Sequence, residues 1–252
     1  MIGIGSPTFC LMPFRKVLEE ISEEFDMWEV LPEGTHRLDL VENEIAYGRD
    51  SLGMKFQIHA PMSDVNIGSV YEPMRAVSVK EIAQAIEVSS RLGIETVTVH
   101  PGFVNGIAFL DRSKALEMTK LSLTEIEPIA YDHSVVVAVE NLPTNINATC
   151  TTVRDLLYAI EGTDLGICFD MGHANTANET DSFLGEVQRF KNVHLHNNEG
   201  QWDQHNRIDE GSADLSKVLS VLRKSYARNI VIESTDLKSG VESKKVLERL
   251  LG

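Results

Sequence analysis

Histidines and carboxylates close one apolar run after another in this chain. QIHAP ends at His59, VTVHPG at His100, VAVEN at Glu140, ICFDMGH at Asp170 and His173, VHLH at His194 and His196, and VIES at Glu233. Each of these groups stands where a buried strand would give way to a loop, the rim on which repeated strand–helix folds build their active sites. A lone histidine at a strand end is ordinarily a satisfied polar residue. His59, His100, Glu140, Asp170, His194 and Glu233 occupy six separate strand ends, and packing alone would not place six ligand-type side chains there. Imidazole and carboxylate without thiolate suit Zn, Mn, Fe or Co better than Mg or Ca. Gly172 permits a tight turn between Asp170 and His173, and the i, i+2 spacing of Asp203 and His205 points both side chains the same way if that segment is extended. Carboxylates that bridge cations, as Glu140 and Glu233 could, keep two metals roughly 3.5–4 Å apart, the spacing used for in-line displacement at phosphorus.

The elements that must carry these residues alternate regularly. Apolar or β-branched runs at 2–5, 26–31, 54–59, 94–100, 134–140, 165–170, 192–196 and 228–233 predict eight strands. Helical patterns fall between them at 14–25, 40–52, 73–92, 112–131, 151–161, 181–190, 214–225 and 241–251. In the third helix Met74, Val77, Ile82, Ala85, Ile86 and Leu92 form the predicted apolar face, with Pro73 in the first turn and Gly93 beyond the last. Continuous apolar strands separated by helices imply a parallel sheet covered on its outer face. Eight such units favour an α/β fold of one closed (β/α)8 TIM barrel, residues 1–252 as a single domain, over an open doubly wound sheet. Gly3-Ile4-Gly5 lacks the third glycine of a dinucleotide fingerprint, and there is no P-loop.

Composition narrows the function classes. No apolar stretch is long enough for a membrane span, and the N-terminus lacks a secretory pattern, so a soluble cytoplasmic protein is expected. Cys10, Cys150 and Cys168 are widely spaced without a CxxC pair, which argues against a disulfide framework or a thiolate zinc knuckle. The formal charge of −15 argues against passive polyanion binding. Bound divalent cations would nevertheless concentrate positive charge in one cleft. No stable protein partner is indicated.

The succession HAP, HPG, EN, DMGH, VHLH-N-N-x-G, D-x-H, D-E-G and VIES resembles the xylose isomerase-like TIM-barrel superfamily, which includes endonuclease IV and many sugar isomerases and epimerases. The positions similar to the three-zinc cluster of endonuclease IV are His59, His100, Glu140, Asp170, His173, His194, Asp203, His205 and Glu233. The resemblance therefore implies up to three zinc ions, with Mn, Co or Fe as alternatives, and hydrolysis of phosphodiesters, abasic DNA included. The superfamily's single-metal epimerases imply a smaller set of Glu140, Asp170, a histidine of the VHLH strand and Glu233, with Glu140 and Glu233 as catalytic acid and base on a small sugar. A binding barrel that keeps the ligands without turnover is a third reading. The stretches after His173, His194 and His205 depart from the endonuclease IV pattern. Both His194 and His196 can face inward, and His194 is assigned as ligand because its distance to Asn197 mimics the family spacing.

Asn141, His196 and Trp202 are the expected substrate-binding groups, with Asn141 also a support for Glu140. Trp28 and Met27 read as core or barrel wall. His36 and Arg37 read as a solvated loop, with phosphate binding as the functional alternative. His133 belongs at the base of the barrel, where residues serve stability.

Overall fold

The strands of the computed structural model, which describes residues 1–144 and 146–251, are all short and nearly all buried on both faces, as continuous apolar runs require. They are β1 (Ile2–Gly5), β2 (Met27–Val30), β3 (Lys55–His59), β4 (Thr96–Val99), β5 (Val136–Glu140), β6 (Gly166–Asp170), β7 (Phe190–Leu195) and β8 (Ile230–Glu233). Every neighbouring pair is parallel, and β1 pairs with β8 from Ile2↔Ile230 to Gly5↔Glu233, closing a barrel in the order β1 to β8. The register places Glu140 beside Cys168 and Asp170 beside His194, so the donors of adjacent strands finish at one level.

The outer layer is formed by α1 (Phe14–Ser22), α2 (Leu38–Leu52), α3 (Glu72–Arg91), α4 (Arg112–Asp132), α5 (Val153–Ala159), α6 (Met171–Thr176), α7 (Thr180–Leu184), α8 (Leu215–Ser225) and α9 (Leu237–Leu251). None of the described helices is long and apolar enough to cross a membrane. Between the sheet and its helices, Trp28 stacks on Phe14 at 4.6 Å and meets Phe9 and His36 edge-on. Pairs of this kind add about 0.5–1.5 kcal/mol beyond the area they bury.

Three expectations need correction. The buried face of α3 is rotated at its first turns: Met74 and Val77 are 49% and 52% exposed, while Arg75 and Ser78 are buried. Arg75 is drawn in by Glu72, Glu125 and Ser122, and that charged network outweighs the apolar pattern. The segment expected as one helix over 181–190 divides into α7, a 3-10 turn at Val187–Arg189 and a strand that already begins at Phe190. His36 is neither solvated nor placed for phosphate: the 3-10 turn Gly34–His36 tucks its ring fully under Phe14, with Nε2 2.9 Å from the Met12 carbonyl.

Candidate metal centre

At the C-terminal ends of the strands, ten side chains converge in three adjoining groups whose donor atoms lie within 4.8 Å of one another inside each group. The first is His59, His100 and Glu140, from β3, the β4 end and β5. The second is Glu140, Asp170, His194 and Glu233, from β5 to β8, and it shares Glu140 with the first. The third is His173, His196, Asp203 and His205, from α6, the β7 end and the loop beyond it. All nine residues assigned as ligands from the sequence fall in these groups, and His196 is the tenth.

The imidazoles are held for ligation from behind. Nδ1 of His59 lies 2.8 Å from the Ala60 carbonyl, which leaves Nε2 facing Glu140 Oε2 at 3.2 Å. Nδ1 of His173 lies 2.9 Å from the Asn141 carbonyl, and its Nε2 faces Asp203 Oδ2 at 3.2 Å. Nε2 of His194 lies 2.8 Å from Glu29 Oε1, and its Nδ1 faces Glu233 Oε1 at 3.0 Å and Glu140 Oε1 at 3.2 Å. An acceptor on one ring nitrogen fixes the tautomer and aims the other nitrogen, the arrangement that metal-binding histidines use.

The same region contains polar atoms that the protein itself leaves without hydrogen-bond partners. His100 Nδ1, Asp170 Oδ2, both ring nitrogens of His196, Asp203 Oδ1 and His205 Nδ1 are buried and unpartnered. Buried polar atoms in native proteins are nearly always satisfied, so such a concentration marks where an additional partner belongs. Nitrogen and oxygen donors at these separations fit divalent Zn, Mn, Fe or Co. His205 adds backbone evidence: its φ of 49° lies in the left-handed region, a conformation that for a histidine costs on the order of 1–3 kcal/mol and is kept where surroundings impose it.

Electrostatics knit the cluster. Burial opposes ionisation of Glu140, yet the charge of His194 and hydrogen bonds from His100 and His173 hold its carboxyl well below the usual range. Burial also opposes charge on His59, but the hydrogen bond and charge of Glu140 win and carry it up to about 9. His100 approaches the same Glu140 oxygen at 3.1 Å and moves the other way, because burial dominates and the neighbouring His59 charge repels a second proton. His173 and His194 are raised despite burial, by the carboxylates of Asp170 and Asp203 for the former and of Glu29 and Glu233 for the latter. Protons thus occupy the places that cations would take, and metal binding must release them.

The expected substrate-binding groups are placed differently. Asn141 is fully buried and clamps Asp170 from both sides, its Oδ1 accepting from the Asp170 amide at 2.9 Å and its Nδ2 donating to the Asp170 carbonyl at 3.0 Å. Both ends of its side-chain amide are thus engaged by the Asp170 backbone. His196 is also fully buried, its Nε2 3.0 Å from Asp170 Oδ1 but outside hydrogen-bonding geometry, and its ring stacked on His205 at 4.0 Å. Trp202 is 62% exposed and is not part of the wall of the central cavity. Gly172 makes no tight turn: it lies in α6, capped by Asp170 Oδ1 accepting from the His173 amide at 2.6 Å. Its missing side chain instead makes room for His196, since a Cβ there would stand 2.0 Å from His196 Cε1.

Sequence reasoning missed Glu29, a carboxylate inside the apolar β2. It is buried, faces the barrel interior and takes hydrogen bonds from Gln57 at 3.0 Å and Asn192 at 2.7 Å besides its contact with His194. An acid in the middle of an apolar strand was the available signal, because such a charge is tolerated only when paired. Cys168 was read as a small apolar residue, and its sulfur also comes within donor range of Glu140 and His194. Burial raises its thiol well above the usual range, which keeps it protonated beside that pair.

Above the donors opens a cavity of about 400 Å³ whose wall includes His59, His100, Glu140, His173, Asp203, His205 and Glu233. Apolar side chains such as Leu31, Met62, Phe103 and Leu142 complete it, and among the described residues no lysine or arginine does. A larger cavity of about 560 Å³, between the β2 and β3 loops and α3, contains none of the donors. Volume alone therefore does not locate the chemistry here.

Comparison with known proteins agrees with this architecture. A family model described as xylose isomerase-like TIM barrel matches residues 18–250. An uncharacterized protein of Methanocaldococcus jannaschii is 34% identical over 99% of this chain and 88% of its own length. A crystal structure described as a D-tagatose 3-epimerase-like protein is 33% identical and superposes with a TM-score of 0.92 over 99% of this chain and 96% of that one. A probable endonuclease 4 of Aquifex aeolicus is 24% identical over 67% of this chain and 66% of its own. The chain belongs to the xylose isomerase-like TIM barrel family.

Proposed function

We propose that this barrel is a metal-dependent phosphoesterase that hydrolyses a phosphodiester at its C-terminal mouth. The carrying observation is the surplus of donors. A proton transfer between sugar carbons needs one cation and about four ligands, whereas Glu140 is shared by two groups and a third group stands beside them. Divalent cations in these groups would supply Lewis acidity toward phosphate oxygens, zinc being the metal that best suits this donor set. The chain's own contribution is orientation and charge. Glu29, Asn141 and the Ala60 carbonyl fix the donors before substrate arrives, so little reorganisation is left for the reaction itself. Glu140 and Glu233 have carboxyls held below the usual range against burial, chiefly by His194, and are ionised at neutral pH. They can therefore accept hydrogen bonds from a water and orient it. The apolar part of the wall limits competing solvent around the reacting ester.

The test is to load the protein with zinc, count bound ions, and offer an oligonucleotide with one abasic site alongside bis(p-nitrophenyl) phosphate. Hydrolysis of either that disappears on chelation supports the reading. If both remain intact at protein excess with zinc bound, the reading fails.

A second reading, a sugar epimerase or isomerase, is favoured by the lack of any lysine or arginine among the described residues of the cavity wall and by the 33% identical D-tagatose 3-epimerase-like structure. In it Glu140 and Glu233 exchange a proton at one carbon of an open-chain sugar. Solvent deuterium entering a ketose in a substrate panel, without ester cleavage, would establish it in place of the first.

A further inference from the structure

At the opposite end of the barrel, the starts of β3, β4, β7 and β8 surround a third cavity, of about 500 Å³. Its wall includes Arg49, Lys55, Lys191 and Arg228, with Glu95 the single acid. Arg49 is engaged by Asp50 at 2.8 Å and by the Leu92 carbonyl at 2.7 Å. Lys55, Lys191 and Arg228 make no ion pair among the described residues, although the chain has 38 acidic residues against 23 basic ones and most of its cations are paired. Solvent screens their mutual repulsion, but unpaired like charges gathered around one concavity contribute no attraction to the fold, whereas the base of such a barrel ordinarily carries residues that serve stability. The site is also cleared for one of them. A Cβ on Gly166 would stand 2.0 Å from Lys191 Cγ, so the glycine lets the lysine stem cross the start of β6 toward the cavity. Phe56 supplies an apolar wall beside the cations, and the volume suits a small molecule.

We infer that this basal cavity is an anion site for a small molecule bearing two or more phosphate groups, distinct from the metal centre. Lysines and an arginine converging from separate strands can each meet a different oxygen of a pyrophosphate group, giving charge-assisted hydrogen bonds in place of mutual repulsion. An extended nucleic acid is the less suitable occupant, because the overall negative charge of the chain repels a long polyanion whose phosphates would lie beyond the cavity.

The experiment is calorimetric titration of zinc-loaded protein with inorganic pyrophosphate and, in a parallel arm, with ADP, comparing wild type with the double variant Lys191→Gln/Arg228→Gln. Zinc content and thermal melting are recorded for both, and neither substitution touches a donor group. The expected result is saturable binding at one site, weakened about tenfold or more in the variant with zinc content unchanged. Tighter binding of ADP than of pyrophosphate would identify a nucleotide as the source of the phosphates, and equal binding a bare polyphosphate. The inference is overturned if neither probe binds, or if both bind equally to wild type and variant, which would assign them to the metal centre. It is equally overturned if a 20-base-pair duplex binds with dependence on these two residues while pyrophosphate does not.

Discussion

The two ends of this barrel are built on opposite electrostatic plans. At the C-terminal mouth, imidazoles and carboxylates are buried, held from behind by hydrogen bonds and left with unpartnered atoms facing inward. At the base, the charges are all but one cationic and stand mostly exposed, and three of the four cations make no ion pair among the described residues. Burial explains the difference. A charge in the interior persists only with specific partners, so the mouth had to be assembled as a network, whereas water screens the base and permits isolated charges. The two plans meet in one line of hydrogen bonds through the interior: Asn229 Nδ2 donates to Gln57 Oε1 at 2.7 Å, Gln57 Nε2 donates to Glu29 Oε2, and Glu29 Oε1 holds His194.

The sharpest way to break the contrast is Glu140→Gln. Since Glu140 belongs to two donor groups, the substitution is expected to lower bound metal to the third group alone and to reduce any metal-dependent turnover on the order of a hundred- to a thousandfold. Metal analysis with a turnover assay checks this, and full metal content in the variant would contradict it. Glu29→Gln should weaken metal binding roughly 10–100-fold, as measured by competition with a chelating dye, because His194 loses the acceptor that fixes its ring. Gly172→Ala should destabilise by about 1–3 kcal/mol in chemical denaturation, as the added methyl drives His196 out of its place.

Glu33 offers a smaller test, at the rim between mouth and exterior. It accepts from the Met62 amide at 2.6 Å and the Ser63 amide at 2.7 Å, and it also binds the Ser63 hydroxyl. Burial pushes its carboxyl up, but these donors outweigh burial and hold it below the ordinary range. Because the folded value is depressed, its contribution is present above the unfolded value and is lost as pH falls through the folded one. Glu33→Gln should therefore cost about 1 kcal/mol near neutrality and progressively less in acid, which a series of melts across pH would show. At the base, Lys55→Gln should change stability by less than about 0.5 kcal/mol, since it removes no buried contact.

How legible the molecule was varies with the kind of interaction. All eight strands were visible as apolar runs, because a strand buried on both faces leaves no room for alternation. His59, His100, Glu140, Asp170, His194 and Glu233 were conspicuous for the same reason, each ending such a run. The face of α3 was misread because Arg75 is buried through partners on α4 that no local pattern announces. Asn141, His196 and Trp202 were given substrate roles from proximity in sequence to ligand-type residues. Which way each side chain turns depends on neighbours contributed by other strands: the Asp170 backbone for Asn141, and the space above Gly172 for His196.

From the order of residues alone came the alternation of strand and helix and the ligand chemistry at the strand ends, since hydrophobic period and donor type are local properties of the chain. Only the closed barrel decided how the donors divide into three groups around Glu140, that Glu29 stands behind His194, and that lysines and arginines far apart in sequence share one basal cavity. Those facts depend on register and closure, which bring together strands separated by up to the whole length of the chain, and distance of that kind is not encoded in any single window of sequence.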